Sequence, residues 1–295
     1  MPLVSVIIPT YNRSEKLIRA LSSVLTQTFH DYEVIVVDDG STDDTPNVIG
    51  PYLPRVHYVR KPLNTGVSAA RNRGIQCASA PWVAFLDSDD YWLEDKLSAQ
   101  VEYIKRNPDT VACQTEEIWI RNGRRINPRK QHRKPSGDIF GQSLRLCLVS
   151  PSSVMLKRSL LNQTGLFDEN LPAAEDYDLW LRIACRYSVH LIPKELVVKE
   201  GGHKDQLSRA VIGIDRFRIR AIVKLLERGV LTDAQRDQAL NELRIKCAIY
   251  GQGCLKRGRQ AEGSFYLSLP DKLARKEETS AGFAQALGGP DELYS

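Results

Sequence analysis

Several features are missing from this chain, and each absence removes a class of protein. No apolar run approaches the ~20 residues that a membrane-spanning helix needs. The first residues lack the basic flank and long apolar region of a signal peptide and read instead as a strand. Both absences predict a cytoplasmic location, with at most peripheral contact at the inner face of the membrane. The six cysteines (Cys77, Cys113, Cys147, Cys185, Cys247 and Cys254) form no Cys-x-x-Cys pair. That argues against a zinc ribbon or a disulfide framework and predicts reduced core thiols. Excess charge is also missing: a net charge of +5 does not demand a nucleic-acid partner, and none is predicted.

What is present suits a folded α/β protein. The 295 residues are 42% hydrophobic and 26% charged, an ordinary globular balance. Residues 4–8 are short, β-branched and bounded by Pro9, which predicts a buried strand. Ser14 is placed to cap a helix in which Leu17, Ile18, Leu21, Val24 and Leu25 share a face. Strands at 33–37, 56–59 and 82–86 follow, separated by helices near 43–52 and over 66–78, and a further helix carries Leu93, Leu97, Val101 and Ile104. Strands spaced by helices predict parallel βαβ units with both sheet faces covered.

Beyond Asp109 the alternation breaks down. Strands are predicted at 111–120 and 152–156, with two short ones, 189–192 and 196–198, around Pro193. Residues 177–186 form an amphipathic pattern. Between them, residues 121–134 hold Arg121, Arg124, Arg125, Arg129, Lys130, Arg133 and Lys134. Such a run reads as a solvated loop, or as a segment that meets an anionic acceptor such as a lipid diphosphate at a membrane surface. From Ala210 the pattern is helical, ending in a hairpin over 233–255 and 258–267 and a tail rich in Glu, Gly, Ala and Ser.

Two strands end in acids: Asp38 and Asp39 before Gly40, and Asp87, Ser88, Asp89 and Asp90. Ligands of open α/β sheets bind at such carboxyl ends. Like charges this close repel unless something positive sits among them, and Mg²⁺ or Mn²⁺ is a common solution because hard cations prefer carboxylate oxygens. Taken alone, each cluster also reads as a solvated turn, with Asp90 capping the next helix. Together, about fifty residues apart in one sheet, they point to a ligand.

Four ordered blocks carry a resemblance: residues 4–13, 36–43, 64–74 and 85–92. They resemble the opening of the family-2 glycosyltransferases, and the likeness resumes at 166–170 and 175–180. The resemblance implies an α/β GT-A fold: a Rossmann-like, mainly parallel sheet flanked by helices, here with a C-terminal helical appendage. The predicted organisation is a GT-A domain over 1–208, with a nucleotide-binding half (1–108) and an acceptor-binding half (109–208). A helical region (209–272) and a flexible tail (273–295) follow.

The family further implies inverting transfer from a nucleotide-sugar donor, most often a UDP-sugar, to a hydroxyl of a glycan, lipid-linked or other acceptor. Carried over by position, Pro9, Thr10 and Tyr11 cradle the base and Asp39 hydrogen-bonds it. Arg71 lies near base or diphosphate, Asp87 and Ser88 contact ribose or phosphate, and Asp89 ligates Mn²⁺ or Mg²⁺. Asp176 matches the catalytic base, with Glu175 as the alternative; Asp178 points elsewhere on its helix. His203, after two glycines, either ligates the metal or is a solvated loop histidine. A sugar nucleotidyltransferase needs a Gly-rich loop after the first strand, and residues 9–13 contain no glycine. A non-catalytic protein that kept the fold is the other alternative.

Overall fold

The computed structural model describes residues 1–127, 129–202 and 213–275, the side chain of Arg275 excepted. The chain divides into two compact units, Met1–Leu231 and Thr232–Ser295.

In the first unit, β1 (Val4–Thr10) is buried at all seven positions, as a central strand with both faces covered requires. Helix α1 (Ser14–Leu25) buries Leu17, Ala20, Leu21 and Val24, one face of a 3.6-residue period. Ser14 is its first helical residue rather than its cap. The Ser14 amide is instead met by Asp43 Oδ2 at 3.1 Å, from the loop after the next strand. β2 (Tyr32–Asp38) follows; α2 (Thr45–Val48) is short and gives way to a 3₁₀ turn, Gly50–Arg55, where Pro51 and Pro54 supply no amide donors. β3 (His57–Arg60), α3 (Val67–Cys77) and β4 (Trp82–Phe85) complete a parallel array in the order β3-β2-β1-β4. Helix α3 packs close on β1 at Gly74, where a Cβ would lie 2.3 Å from Ile7 Cγ2. Only glycine allows that approach.

Beyond these four strands, where the regular alternation ends, antiparallel pairs join the mainly parallel sheet and make it mixed. After β5 (Tyr91–Trp92) and α4 (Lys96–Arg106), β6 (Ala112–Arg121) turns into β7 (Arg124–Ile126) as a hairpin. Asn122 and Gly123 both take positive φ there, the two-residue turn that matches strand twist. Thus part of the basic segment predicted as loop is a strand. Helix α5 (Phe140–Arg145) leads to β8 (Val154–Lys157), which is antiparallel to β4 and β6. Helices α6 (Arg158–Thr164) and α7 (Glu175–Ala184) precede β9 (His190–Gly201), parallel to β6 and antiparallel to β5. The two short strands expected around Pro193 are this one strand. Register shifts opposite Thr115, Glu116 and Glu117 absorb the irregularity near the proline, which has no ladder donor.

Helix α8 (Asp215–Glu227) closes the first unit, so the compact boundary falls at 231/232 rather than after residue 208. The reason is packing: α8 lies against α7, buries Phe217, Ile219, Ile222 and Val223, and pairs Lys224 with Asp168 and Asp178. The second unit holds the expected hairpin. In it, α9 (Asp233–Lys256) starts at a Thr232–Gln235 capping box and pairs with α10 (Gln260–Arg275). Tyr250 and Tyr266 meet edge to face at 4.7 Å between those helices. Helix α10 extends to Arg275, past the predicted start of the tail at 273; residues 276–295 lie outside the described residues.

Candidate functional site

Because β1, β2 and β4 are adjacent and parallel, their carboxyl ends open on one edge of the sheet. Thr10 pairs with Asp38, and Ile7 with Phe85, so residues 9–13, 38–41 and 87–90 converge. They surround a cavity of about 860 Å³. Its lining includes Pro9, Thr10, Tyr11, Asp39, Arg71, Asp87, Ser88, Asp89 and Asp176, every predicted site residue that is described. His203 lies outside the described residues. Arg13, Glu175 and Lys199, which carried no predicted role or only an alternative one, line the cavity too.

The β2 end is closed by hydrogen bonds. Asp38 is fully buried; its carboxylate accepts from the Tyr58 hydroxyl at 2.6 Å and the Ser41 amide at 2.8 Å. Burial and then Asp38 push the Tyr58 phenol well above its ordinary pKa. Asp39 is 3% exposed and accepts from Lys61 Nζ at 2.6 Å, the Gly66 amide at 2.7 Å and the Thr65 amide at 3.1 Å. Asp39 therefore ties the 61–66 loop to the strand end. Gly40 between them has φ +78°, and a Cβ there would sit 2.6 Å from the Leu63 carbonyl carbon. Asn12 also sits in the left-handed region, which Asn tolerates, and its side-chain oxygen accepts from the Thr42 amide at 2.7 Å.

The β4 end is held by cations instead. Arg71, on α3, is 3% exposed and donates to Asp87 Oδ1 and Glu175 Oε1, each at 2.7 Å. Burial opposes the Arg71 charge, but Asp87 and Glu175 outweigh it and hold the guanidinium protonated. Burial disfavours the Asp87 charge as well; Arg71 and Lys199 overcome it and depress the Asp87 pKa. Arg13 pairs with Asp89 at 3.0 Å. Asp90 is the acid that loses out: burial pushes it up to about 8, with Asp89 and Asp87 adding to the rise and Lys199 opposing. Its carboxyl is bonded to the Ser152 hydroxyl at 2.6 Å and caps no helix. Lys199, on β9, donates to Ser150 Oγ at 3.0 Å and is held protonated, against burial, by Glu117, Asp90, Asp87 and Asp89. The positive charge that the acidic cluster demands is supplied in large part by the protein. Nothing near Lys199 in the sequence marks this role; the pairing of β9 with β5, which follows Asp90 directly, and with β6 brings it to the β4 end.

Helix α7 presents the remaining acids. It is entered through Ala174, whose φ of 60° is a left-handed conformation that alanine adopts only under constraint. Glu175 is committed to Arg71 and 5% exposed; burial, then Asp176, push it up to about 7 against the pull of Arg71. Asp176 is less buried, accepts from the Tyr177 amide at 2.7 Å and lies 3.4 Å from the Cys147 thiol, which donates to it. Asp178 turns away, as expected, to Arg182 at 2.8 Å and Lys224 at 2.9 Å. Among the described residues no group of three or more His, Cys, Asp or Glu side chains is arranged to hold a metal ion.

The sequence profile of glycosyl transferase family 2 matches residues 5–165. The chain belongs to this family. An uncharacterised glycosyltransferase from Rickettsia felis is 38% identical over 195 residues, 65% of this chain but only 32% of that protein. The chain thus spans about a third of the length of that relative. The Escherichia coli protein WfgD, a UDP-Glc:alpha-D-GlcNAc-diphosphoundecaprenol beta-1,3-glucosyltransferase, is 30% identical over 220 residues, covering 73% of this chain and 81% of its own. Among solved structures, Staphylococcus aureus TarS 1-349 in complex with UDP-GlcNAc aligns over 93% of this chain and 92% of its own, with a TM-score of 0.66 and 19% identity. The fold of this family-2 member is the α/β GT-A arrangement with C-terminal helices.

Proposed function

We propose that the cavity binds a nucleotide-sugar donor, a UDP-sugar, and that the chain transfers its sugar with inversion to an acceptor hydroxyl in cell-surface polysaccharide or glycoconjugate synthesis. One observation carries this reading: Asp176 lines the same 860 Å³ cavity as Asp87 and Asp89, on a different element. A donor diphosphate at the β4 end leaves room for an acceptor hydroxyl beside Asp176. The family membership and the WfgD likeness support the same chemistry.

In this reading Tyr11, 41% exposed, stacks on the base above Pro9 and Thr10. Asp39 holds the 61–66 loop against the base and offers it a remaining lone pair. Arg71 is a donor toward the diphosphate; its Nε is buried without a partner among the described residues. Asp87 and Ser88 contact ribose or phosphate. Asp176 takes the proton of the acceptor oxygen as that oxygen attacks the anomeric carbon. Asp176 stands in the first turn of α7, where unpaired amides give the helix end partial positive charge.

A divalent ion fits only as a ligand shared with the donor, because the described side chains do not enclose one by themselves. Asp89 would hold Mn²⁺ or Mg²⁺ together with diphosphate oxygens, and His203 is the further candidate ligand. When bound, the ion supplies positive charge to the departing diphosphate. The acceptor is a glycan or lipid-linked hydroxyl.

The test is a panel of nucleotide sugars and acceptors with and without Mn²⁺, run on the wild type and Asp176→Asn. Turnover should fall by at least ~10²-fold in the variant, the scale of general-base catalysis, with UDP affinity unchanged. Tight UDP binding without transfer to any acceptor would leave a binding protein and sink the enzyme reading.

A further inference from the structure

Residues 121–134 hold seven basic side chains and no acidic one. Two are neutralised within the fold: Arg125 by Glu195 at 2.6 Å, and the half-buried Lys134 by Glu117 at 2.9 Å. The other five, Arg121, Arg124, Arg129, Lys130 and Arg133, are exposed, with no acidic partner among the described residues. They do not sit on a loose loop. The Asn122-Gly123 turn closes the β6–β7 hairpin, and the 3₁₀ turn Lys130–His132 packs back on it, with the His132 and Trp119 rings 5.5 Å apart. Ile126 adds an exposed apolar side chain to the same hairpin.

Five like charges on one small surface repel each other unless a partner supplies negative charge. Position indicates which partner. The β6–β9 register sets Ile120 beside Glu200 and Arg121 beside Gly201, while Lys199 and Glu200 line the cavity. The basic hairpin therefore starts at the cavity rim. An exposed isoleucine among arginines suits a lipid interface, where apolar and cationic side chains are both satisfied, better than a nucleic-acid backbone.

We propose that this hairpin docks the protein on an anionic phospholipid surface, so that the cavity opens toward a membrane-borne acceptor. The proposal rests on the transferase reading only for that last clause. Each basic side chain near such a surface strengthens binding roughly five-fold, so five give on the order of 10³-fold.

The experiment is co-sedimentation of the full chain with vesicles of phosphatidylcholine alone or with about one-third phosphatidylglycerol. Binding is expected to the anionic vesicles only, and to be released as salt rises from about 0.1 to 0.5 M, which shortens the screening length. The quintuple variant R121Q/R124Q/R129Q/K130Q/R133Q, checked for an unchanged melting temperature, should lose at least ~10²-fold of the partition coefficient. No binding to anionic vesicles, equal binding to zwitterionic ones, or full binding by the variant would each overturn the proposal. So would tighter retention on a random oligonucleotide. The salt series on the wild type keeps the test decisive even if the variant fails to fold. Vesicle binding needs no turnover, so its failure leaves the transferase reading standing. Vesicle binding without any transfer supports the docking surface alone.

Discussion

The two acidic strand ends look alike in sequence and behave oppositely in the fold. At the end of β2, Asp38 and Asp39 are held mainly by neutral donors, a tyrosine hydroxyl and three amides, with Lys61 on Asp39 and Arg60 at 3.6 Å from Asp38. At the end of β4, Asp87, Asp89 and Asp90 are balanced by Arg71, Arg13 and Lys199, and Asp90 rises to about 8. The first end is a fastening. The second is an electrostatic cluster in which buried acids and cations balance one another. Spacing of acids therefore says which strand ends carry them, but the partners decide how each acid is balanced.

The largest effect expected from breaking this contrast is on folding. Asp39→Ala leaves Lys61 and two loop amides without their acceptor and should cost about 3–5 kcal/mol in urea melts. A loss under ~1 kcal/mol would mean that the β2 end is no more structural than the β4 end.

A second variant sharpens the electrostatic side. Glu175 shares Arg71 with Asp87, and burial followed by Asp176 holds its pKa at about 7. The folded chain therefore binds this proton more tightly than the unfolded one, so the stabilisation present below about pH 4.5 is lost as pH rises through about 7. Glu175→Gln cannot titrate. It should match the wild type near pH 4.5 and exceed it by on the order of 3 kcal/mol above pH 7. Denaturant midpoints across that range check this, and parallel curves would show that Glu175 is ionised in the fold throughout.

The smallest expected change in stability is for Asp89→Ala. It pairs with Arg13 at 3.0 Å but also stands among the like charges of Asp87 and Asp90, whose repulsion its removal relieves, so the melting curve should shift by less than it does for Asp39→Ala. Metal-dependent donor affinity should nevertheless fall, measured by titration with UDP and Mn²⁺. Unchanged affinity would move the ligand role away from Asp89.

Much of this molecule was legible before any coordinates. The alternation of periods over the first hundred residues fixed β1 to β4 and the helices between them, because buried parallel strands and amphipathic helices leave opposite patterns. The ordered blocks also named a family, and the described residues they pointed to line one cavity. The reading failed where the cause was not local. Ser14 looked like a cap, yet Asp43 from another loop meets its amide. Helix α8 looked like part of the C-terminal helices, yet its apolar face and Lys224 belong with α7.

By itself, then, the sequence determined β1 to β4, the sheet edge at their carboxyl ends and the acids that stand on it, because periodicity and short motifs are local. Only the tertiary structure decided which cation faces which acid. Arg71 meets Glu175 across 104 positions, and Lys199 reaches the β4 end through strand pairing. Charge balance falls off over a few ångströms of space and takes no account of distance along the chain.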